Sequence, residues 1–112
     1  MLPKFKRLNL KKDFNWIANG KLVDTTFAKL YYRFGTNDLP RIGITAPSGV
    51  FKKAHSRNRA RRLISSLFEV IYTRLPTRLN ILAIPKPHLI EVKSDDLLLS
   101  LEDKLKEVGL IK

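Results

Sequence analysis

Residues 53–75 read KAHSRNRARRLISSLFEVIYTRL and predict a long helix. The second half of this segment is apolar at helical spacing, so it forms a continuous stripe that must pack against other elements. The members of the stripe are Leu63, Ile64, Leu67, Phe68, Ile71 and Leu75. Pro76 ends the helix, because a proline ring clashes with the preceding turn and has no N–H to donate. One half of the segment therefore belongs to a hydrophobic core, and the other half is densely basic.

The start of this helix is crowded with cations. Between Lys52 and Arg62, six of eleven residues are Lys or Arg, and no acidic residue occurs between Arg41 and Arg62. Cations at a helix start face the positive end of its dipole, and like charges three or four residues apart repel one another. A solvated helix face normally mixes acids with bases, whereas a phosphate backbone bound here would offset this repulsion. The pattern therefore favours a nucleic-acid-binding surface over a solvated face.

A shorter helix is predicted upstream, at residues 10–19. Asn9 is suited to its N-cap and Gly20 to its C-terminal stop. Its apolar face is predicted to combine Leu10, Phe14, Ile17 and Ala18.

Residues 25–34 alternate as a strand does. The face expected to meet the core consists of Ala28, Leu30, Tyr32 and Phe34, and the opposite face consists of Phe27, Lys29, Tyr31 and Arg33. The second face interleaves aromatic and cationic side chains, which suits a partner that carries bases and phosphates. Turn-forming residues 35–38 follow, so this strand and residues 41–46 are predicted to form an antiparallel hairpin. A further short strand is possible near residues 21–23.

Two elements are predicted after the long helix. Residues 80–84 form a short, apolar strand that is expected in the centre of the sheet. A final helix begins at Ser94, whose hydroxyl is suited to capping it, and ends at Gly109. Its apolar face is expected to be Leu98, Leu101, Leu105 and Val108. The predicted order is α-β-β(β)-α-β-α, in a single α+β domain that spans residues 1–112.

The net charge of +12 is distributed unevenly. Residues 1–62 hold fifteen basic and three acidic residues, whereas residues 63–112 hold seven of each. This asymmetry predicts a polyanion bound to one side of the fold. The chain has no cysteine, no stretch of about 18 uncharged apolar residues and no hydrophobic segment behind its basic N-terminus. We therefore expect a soluble, cytoplasmic protein that does not bind membranes.

Catalysis by the protein's own side chains is not expected. The two histidines, His55 and His88, are not at metal-ligand spacing, and no glycine-rich phosphate loop occurs. Asp95 and Asp96 are neighbours that splay apart on a helix, so they fit its first turn better than a catalytic pair. No catalytic residue and no metal ligand is assigned.

The segment 40–45, PRIGIT, followed by KKAHSRNRARRL at residues 52–63, resembles the signature of the bacterial ribonuclease P protein subunit. The triplet Arg57-Asn58-Arg59 with the two following arginines is the hallmark of that family. The resemblance implies an α/β sandwich like domain 2 of ribosomal protein S5, with a left-handed β-α-β crossover around the arginine-rich helix. It also implies an accessory subunit of an RNA-dependent endoribonuclease. A catalytic RNA, with Mg²⁺ bound mainly by that RNA, would remove the 5′ leader from precursor tRNA, and no protein partner would be required.

The resemblance also assigns residues. The contacts to the catalytic RNA would be Lys52, Lys53, Arg57, Asn58, Arg59, Arg61 and Arg62. The cleft for the 5′ leader would contain Phe14, Lys29, Tyr31 and Arg33, although Phe14 is equally suited to the core. The chain departs from the family where a lysine pair is common, at Ser48-Gly49, at Ala18, which is often aromatic, and at Pro85, which is followed by Lys86. We therefore expect a cleft that is less basic and less aromatic than is usual.

Two other functions remain open. One is a non-catalytic, ribosomal-type module that binds structured RNA, which would show the same steep salt dependence of binding. The other is a DNA-binding helix protein. It ranks last, because the apolar stripe buries most of the long helix and leaves only its first turns free to enter a groove.

Overall fold

The elements follow one another in the predicted order. The computed structural model describes residues 2–112, and this part of the chain contains three α-helices and four β-strands. In chain order they are α1 (Leu10–Ala18), β1 (Lys21–Asp24), β2 (Ala28–Phe34), β3 (Arg41–Ile44), α2 (Ala54–Ile71), β4 (Leu79–Pro85) and α3 (Ser94–Glu107). Short 3-10 turns lie at Lys4–Lys6, Tyr72–Arg74 and Pro87–Glu91.

The four strands form one sheet in the order β1-β2-β4-β3. Strand β2 is antiparallel to both β1 and β4, whereas β3 is parallel to β4. The predicted hairpin of β2 with β3 is therefore wrong, because β4 lies between them. Nearly every residue of β4 is buried, so it needs neighbours on both edges. The turn after β2 is also attached to β4, since Asn80 Nδ2 donates a hydrogen bond to Asn37 Oδ1 at 2.8 Å.

Helix α2 connects the two parallel strands as a β-α-β crossover. Its bounds, extended by the turn Tyr72–Arg74, confirm the long helix predicted at residues 53–75. Ile64, Phe68 and Ile71 are fully buried in the main core, as the apolar stripe predicted. The left hand of the crossover stays a prediction.

The sheet has helices on both faces. Ala28 and Leu30 of β2 belong to the main core together with residues of α2 and α3, whereas Tyr31 packs on a smaller cluster with Ile17 of α1 and Leu82. The predicted alternation of β2 is thus confirmed in the middle of the strand. It is wrong at the ends, where Phe27 is only 1% exposed and Phe34 is 54% exposed.

A turn before β2 explains the first of these errors. The Thr25 hydroxyl donates to the carbonyl oxygen of Ala28 at 2.7 Å and accepts from the Ala28 N–H at 2.9 Å. The strand therefore begins at Ala28 rather than at residue 25, and the period of two does not extend back to Phe27.

Helix α1 has the predicted bounds to within one residue, but its details differ. Asn9 holds the N-cap position without a side-chain hydrogen bond. Gly20 follows the helix for a reason that the sequence does not reveal: a Cβ there would collide with the carbonyl oxygen of Tyr32. Phe14, predicted on the apolar face, is 41% exposed, while Ile17 is fully buried.

Helix α3 is rotated relative to the prediction. Its buried residues are Leu97, Leu101 and Leu105, whereas Leu98 is half-buried and Val108 is exposed. Ser94 makes no capping hydrogen bond. The predicted stop is confirmed: Gly109 has φ +81°, and the Leu110 N–H donates to the carbonyl oxygen of Leu105 at 2.9 Å.

Residues 2–9 form a segment for which the sequence predicted no structure, and we call it the N-terminal strap. It crosses the edge of β3 and α2. The Leu2 N–H donates to Ser65 Oγ at 3.0 Å, and the Leu8 N–H donates to the carbonyl oxygen of Ile42 at 3.1 Å. Leu2 and Leu8 are buried, so the strap is part of the folded structure.

Candidate nucleic-acid interface

The predicted RNA contacts lie together at the start of α2. We call the six cations of this region the basic cluster: Lys52, Lys53, Arg57, Arg59, Arg61 and Arg62. Lys52, Lys53, Arg59 and Arg62 are exposed, and Arg57 and Arg61 are half-buried. The first turn of α2 contains no acidic residue, and no side chain caps it. The side chains of the first turns of α2 remain accessible to solvent, because burial on this helix begins at Ala60 and becomes regular only from Ile64 onward.

No ion pair found within residues 2–112 joins a carboxylate to this cluster. The ion pairs found within residues 2–112 join Arg74 to Glu102, Lys86 to Asp24, His88 to Glu91 and Lys104 to Glu107. None of these pairs includes a member of the basic cluster. The cluster therefore presents uncompensated positive charge to solvent, which is the electrostatic condition for binding a polyanion.

Intrachain hydrogen bonds orient two of the arginines. Arg57 Nη1 donates to the carbonyl oxygens of Phe51 at 2.8 Å and Lys52 at 3.2 Å, so it fastens the preceding loop to the helix. Arg61 Nη1 donates to Asn58 Oδ1 at 3.1 Å. No local sequence pattern predicts that Arg57 also supports its own loop.

The remaining two arginines point in another direction. Arg59 and Arg62 line a shallow cavity of about 340 Å³ with Leu63 and Ser66. In the described part of the chain, neither side chain makes a hydrogen bond or an ion pair. All the N–H donors of both guanidinium groups are therefore available to bind a ligand.

The predicted leader cleft lies on the α1 side of the sheet. Tyr31 packs against the small cluster that contains Ile17 and Leu82, and its half-exposed ring borders this face. Lys29 is exposed two residues earlier on the same face of β2. The Phe14 side chain is exposed on α1 and is therefore not a core residue, and its place in the leader cleft stays a prediction.

Arg33 is engaged with α1. Its Nη1 donates to the carbonyl oxygen of Trp16 at 3.1 Å, and its guanidinium carbon lies 5.1 Å from the centre of the indole ring. No sequence pattern pointed to Trp16, although it is the only tryptophan of the chain. Arg33 therefore attaches the C-terminal part of α1 to the end of β2.

An acidic group lowers the positive charge near the cleft. Asp24 faces Lys29 across the β1–β2 ladder. Lys86 Nζ donates to Asp24 Oδ1 at 2.6 Å and to the carbonyl oxygen of Thr25 at 2.7 Å. This hydrogen bond, together with the nearby charges of Lys86 and Lys29, lowers the pKa of the Asp24 carboxyl. Lys86 is thus held by the protein itself, and Asp24 is a carboxylate at physiological pH.

The two histidines and the neighbouring aspartates lie on different elements, and His55 lies at the start of α2 among the basic cluster. His55 is exposed, and His88 Nδ1 lies 3.4 Å from Glu91 Oε2. Asp95 and Asp96 occupy the first turn of α3, as predicted. Within residues 2–112, no three Asp, Glu or His side chains lie together as metal ligands do. No helix in this range is long and apolar enough to cross a membrane.

Comparison with known proteins agrees with this arrangement. The family model described as Ribonuclease P matches residues 2–109. The ribonuclease P protein component of Blochmanniella pennsylvanica is 32% identical over 102 residues, which is 90% of this chain and 89% of that protein.

Solved structures of the same kind of protein are also similar. The RNase P protein from Thermotoga maritima in complex with 1-(4-fluorophenyl)-2-thiourea has a TM-score of 0.77 and 27% identity, covering 89% of this chain and 97% of that one. The RNase P protein of Staphylococcus aureus, at 23% identity and a TM-score of 0.80, shows the same fold over 96% of this chain and 98% of its own. This chain therefore belongs to the ribonuclease P protein family.

Proposed function

We propose that this chain is the protein subunit of ribonuclease P and that the catalytic RNA, rather than any protein side chain, carries out the hydrolysis. The chain would bind that RNA and the 5′ leader of precursor tRNA, so that the leader is removed and the mature 5′ end is formed. The observation that supports this most strongly is the basic cluster, which no carboxylate in residues 2–112 neutralises.

The proposed interface with the catalytic RNA consists of Lys52, Lys53, Arg57, Asn58, Arg59, Arg61 and Arg62. The planar guanidinium groups would bind phosphate oxygens in pairs, and the lysines would act as point charges. Six neutralised phosphates would give a slope of about −5 for log affinity against log salt concentration on duplex scaling.

The proposed leader site is the α1 side of the sheet. Exposed Phe14 and half-exposed Tyr31 are suited to stacking on unpaired bases, which is worth about 1–3 kcal/mol per base. Lys29 would contact phosphate, and its effect is reduced by Asp24 opposite it in the ladder. Since Arg33 is hydrogen-bonded to α1, its role in leader binding would be to hold α1 and β2 together.

Magnesium belongs to the RNA in this proposal. Mg²⁺ prefers oxygen ligands, keeps several waters and is commonly bound through phosphate oxygens together with one or two carboxylates. The described residues offer no cluster of three carboxylates or histidines for it. A bacterial cytoplasmic location follows from the proposal, because precursor tRNA is processed there.

The test is cleavage of precursor tRNA by the ribonuclease P RNA of the same organism. At low magnesium, added protein should increase the cleavage rate, and the protein alone should cleave nothing. A ribosomal-type module that binds structured RNA would bind the same RNA but leave the rate unchanged. Cleavage by the protein alone would contradict the assignment of chemistry to the RNA.

A further inference from the structure

A second cationic surface lies between the N-terminal strap and the start of α2. The strap, the edge of β3 and Arg61 enclose a groove of about 730 Å³, which we call the strap groove. Its cations are Lys4, Arg7, Lys11 and Arg61, and its accessible apolar wall includes the half-buried Leu10 and Ile44. This volume is within the range of about 300–1,000 Å³ that is typical of sites for small organic groups.

The charge of the strap groove is of one sign. Among the described residues, none of those that line it is acidic. A cavity of about 630 Å³ on the other side of α1 provides the contrast, because Asp13 and Asp38 line it together with Lys12 and Arg41. The mixed charges of that cavity do not favour an anion, whereas the four cations of the strap groove favour one.

The groove is already formed in the free protein. The strap is fixed by the hydrogen bonds from Leu2 to Ser65 and from Leu8 to Ile42, and Lys6 Nζ lies 4.3 Å from the centre of the Tyr72 ring. A ligand would therefore not have to order the strap, so it avoids that entropic cost of binding.

The groove is continuous with the basic cluster but faces a different direction. Arg61 belongs to both surfaces, while Arg59 and Arg62 line a separate cavity. The cations that line the two cavities are therefore different ones.

We propose that the strap groove binds a second, unpaired segment of the catalytic RNA, with phosphates on Lys4, Arg7, Lys11 and Arg61 and a base against Leu10 and Ile44. This inference rests on the proposed function. The one-sided positive charge requires an anion, and the apolar wall between the cations suits the face of a base that is not stacked in a duplex. A duplex keeps the faces of its bases stacked inside the helix and would leave the wall uncovered.

The first test compares two double variants of equal charge. Lys4→Gln with Lys11→Gln removes two groove cations. Lys93→Gln with Lys106→Gln removes two exposed cations, one directly before α3 and one within it, and is the matched control. Affinity for the catalytic RNA is measured at several salt concentrations. The groove variant should reduce the magnitude of the log–log slope by about 1.4–1.8, at 0.7–0.9 per phosphate contact, and the control should leave it unchanged.

The second test identifies the RNA segment. Because the chain has no cysteine, Lys4→Cys and Arg62→Cys each create a single site for a photo-cross-linker. The Lys4→Cys probe should label nucleotides that are unpaired in the RNA and that the Arg62→Cys probe does not label. Labelling of a duplex, or of the same nucleotides by both probes, would overturn the inference.

The outcomes separate the two proposals. Suppose that the wild-type protein stimulates precursor-tRNA cleavage, but the groove variant and its control show the same slope of log affinity against log salt concentration. The strap groove then does not bind RNA, and the proposed function stands. If the wild-type protein neither binds the RNA nor stimulates cleavage, both proposals fail.

Discussion

Replacing Arg57 and Arg59 separately with alanine should give two different phenotypes. The sequence alone predicts the same result for both: weaker RNA binding and a nearly unchanged melting temperature. The structure distinguishes them, because Arg57 Nη1 donates to the carbonyl oxygens of Phe51 and Lys52, whereas the Arg59 side chain makes no hydrogen bond or ion pair within residues 2–112. Arg57 therefore has a structural role that Arg59 lacks.

The size of the difference follows from the two hydrogen bonds. Hydrogen bonds from charged groups contribute about 1.5–3 kcal/mol, and the half-buried position of Arg57 reduces this to about 1–2 kcal/mol of unfolding free energy. For a domain of this size that is a decrease in melting temperature of roughly 4–8 °C. Arg59→Ala removes a cation from a crowded helix start and adds a better helix former, so the melting temperature should stay within about 1 °C.

The assay is thermal unfolding by circular dichroism, combined with RNA affinity measured at several salt concentrations. Arg59→Ala should reduce the magnitude of the log–log slope by about 0.9 with no loss of stability. Arg57→Ala should lose stability as well as affinity. Equal loss of stability in the two variants, or an unchanged melting temperature in Arg57→Ala, would refute this reasoning.

Three further predictions concern the fold and the cleft. Tyr72→Phe removes the hydroxyl that donates to the buried carbonyl oxygen of Pro40 at 2.7 Å, so denaturant unfolding should show a loss of about 1–2 kcal/mol, and no loss would contradict the bond. Gly20→Ala should cost about 1–3 kcal/mol in the same measurement, because the new methyl group meets the backbone of Tyr32, whereas Gly49→Ala, which meets nothing, should cost far less. Phe14→Ala should weaken binding of precursor tRNA with a 5′ leader by about 1–3 kcal/mol and leave binding of leaderless tRNA unchanged; an equal effect on both would remove Phe14 from the leader site.

The sequence predicted best where local pattern and burial agree. The stripe from Leu63 to Leu75 gave helix α2 with nearly correct bounds, and the continuous apolar run at residues 80–84 gave the central strand. Gly109 marked the end of α3 because a helix end with positive φ requires a glycine at that one position, whatever the distant contacts. In these places no distant contact competes with the local signal.

Strand pairing and helix rotation were predicted less well, because they depend on distant residues. Strand β3 follows a turn after β2, yet it pairs with β4, which is connected to it through α2. Leu97 and Leu98 have equal hydrophobicity, and only the packing of α3 decides that Leu97 is the more buried.

For the candidate site, the sequence located the basic cluster but not the internal contacts of its neighbours. The bonds from Arg57 to its own loop and from Arg33 to Trp16 join residues that no local pattern connects. The strap cations were visible only as part of the general basic charge. Their alignment along a groove depends on where residues 2–9 cross β3 and α2.

The most direct measurement of the central claim is the salt dependence of binding between the protein and its ribonuclease P RNA. For the wild-type protein we expect a log–log slope of about −5 from the basic cluster alone, and a steeper one if the strap groove also binds RNA. The double variant Arg59→Gln with Arg62→Gln should reduce the magnitude of the wild-type slope by about 1.4–1.8, with an unchanged melting temperature. A wild-type slope near zero, or the same slope in both proteins, would contradict the claim that the start of α2 binds RNA phosphates.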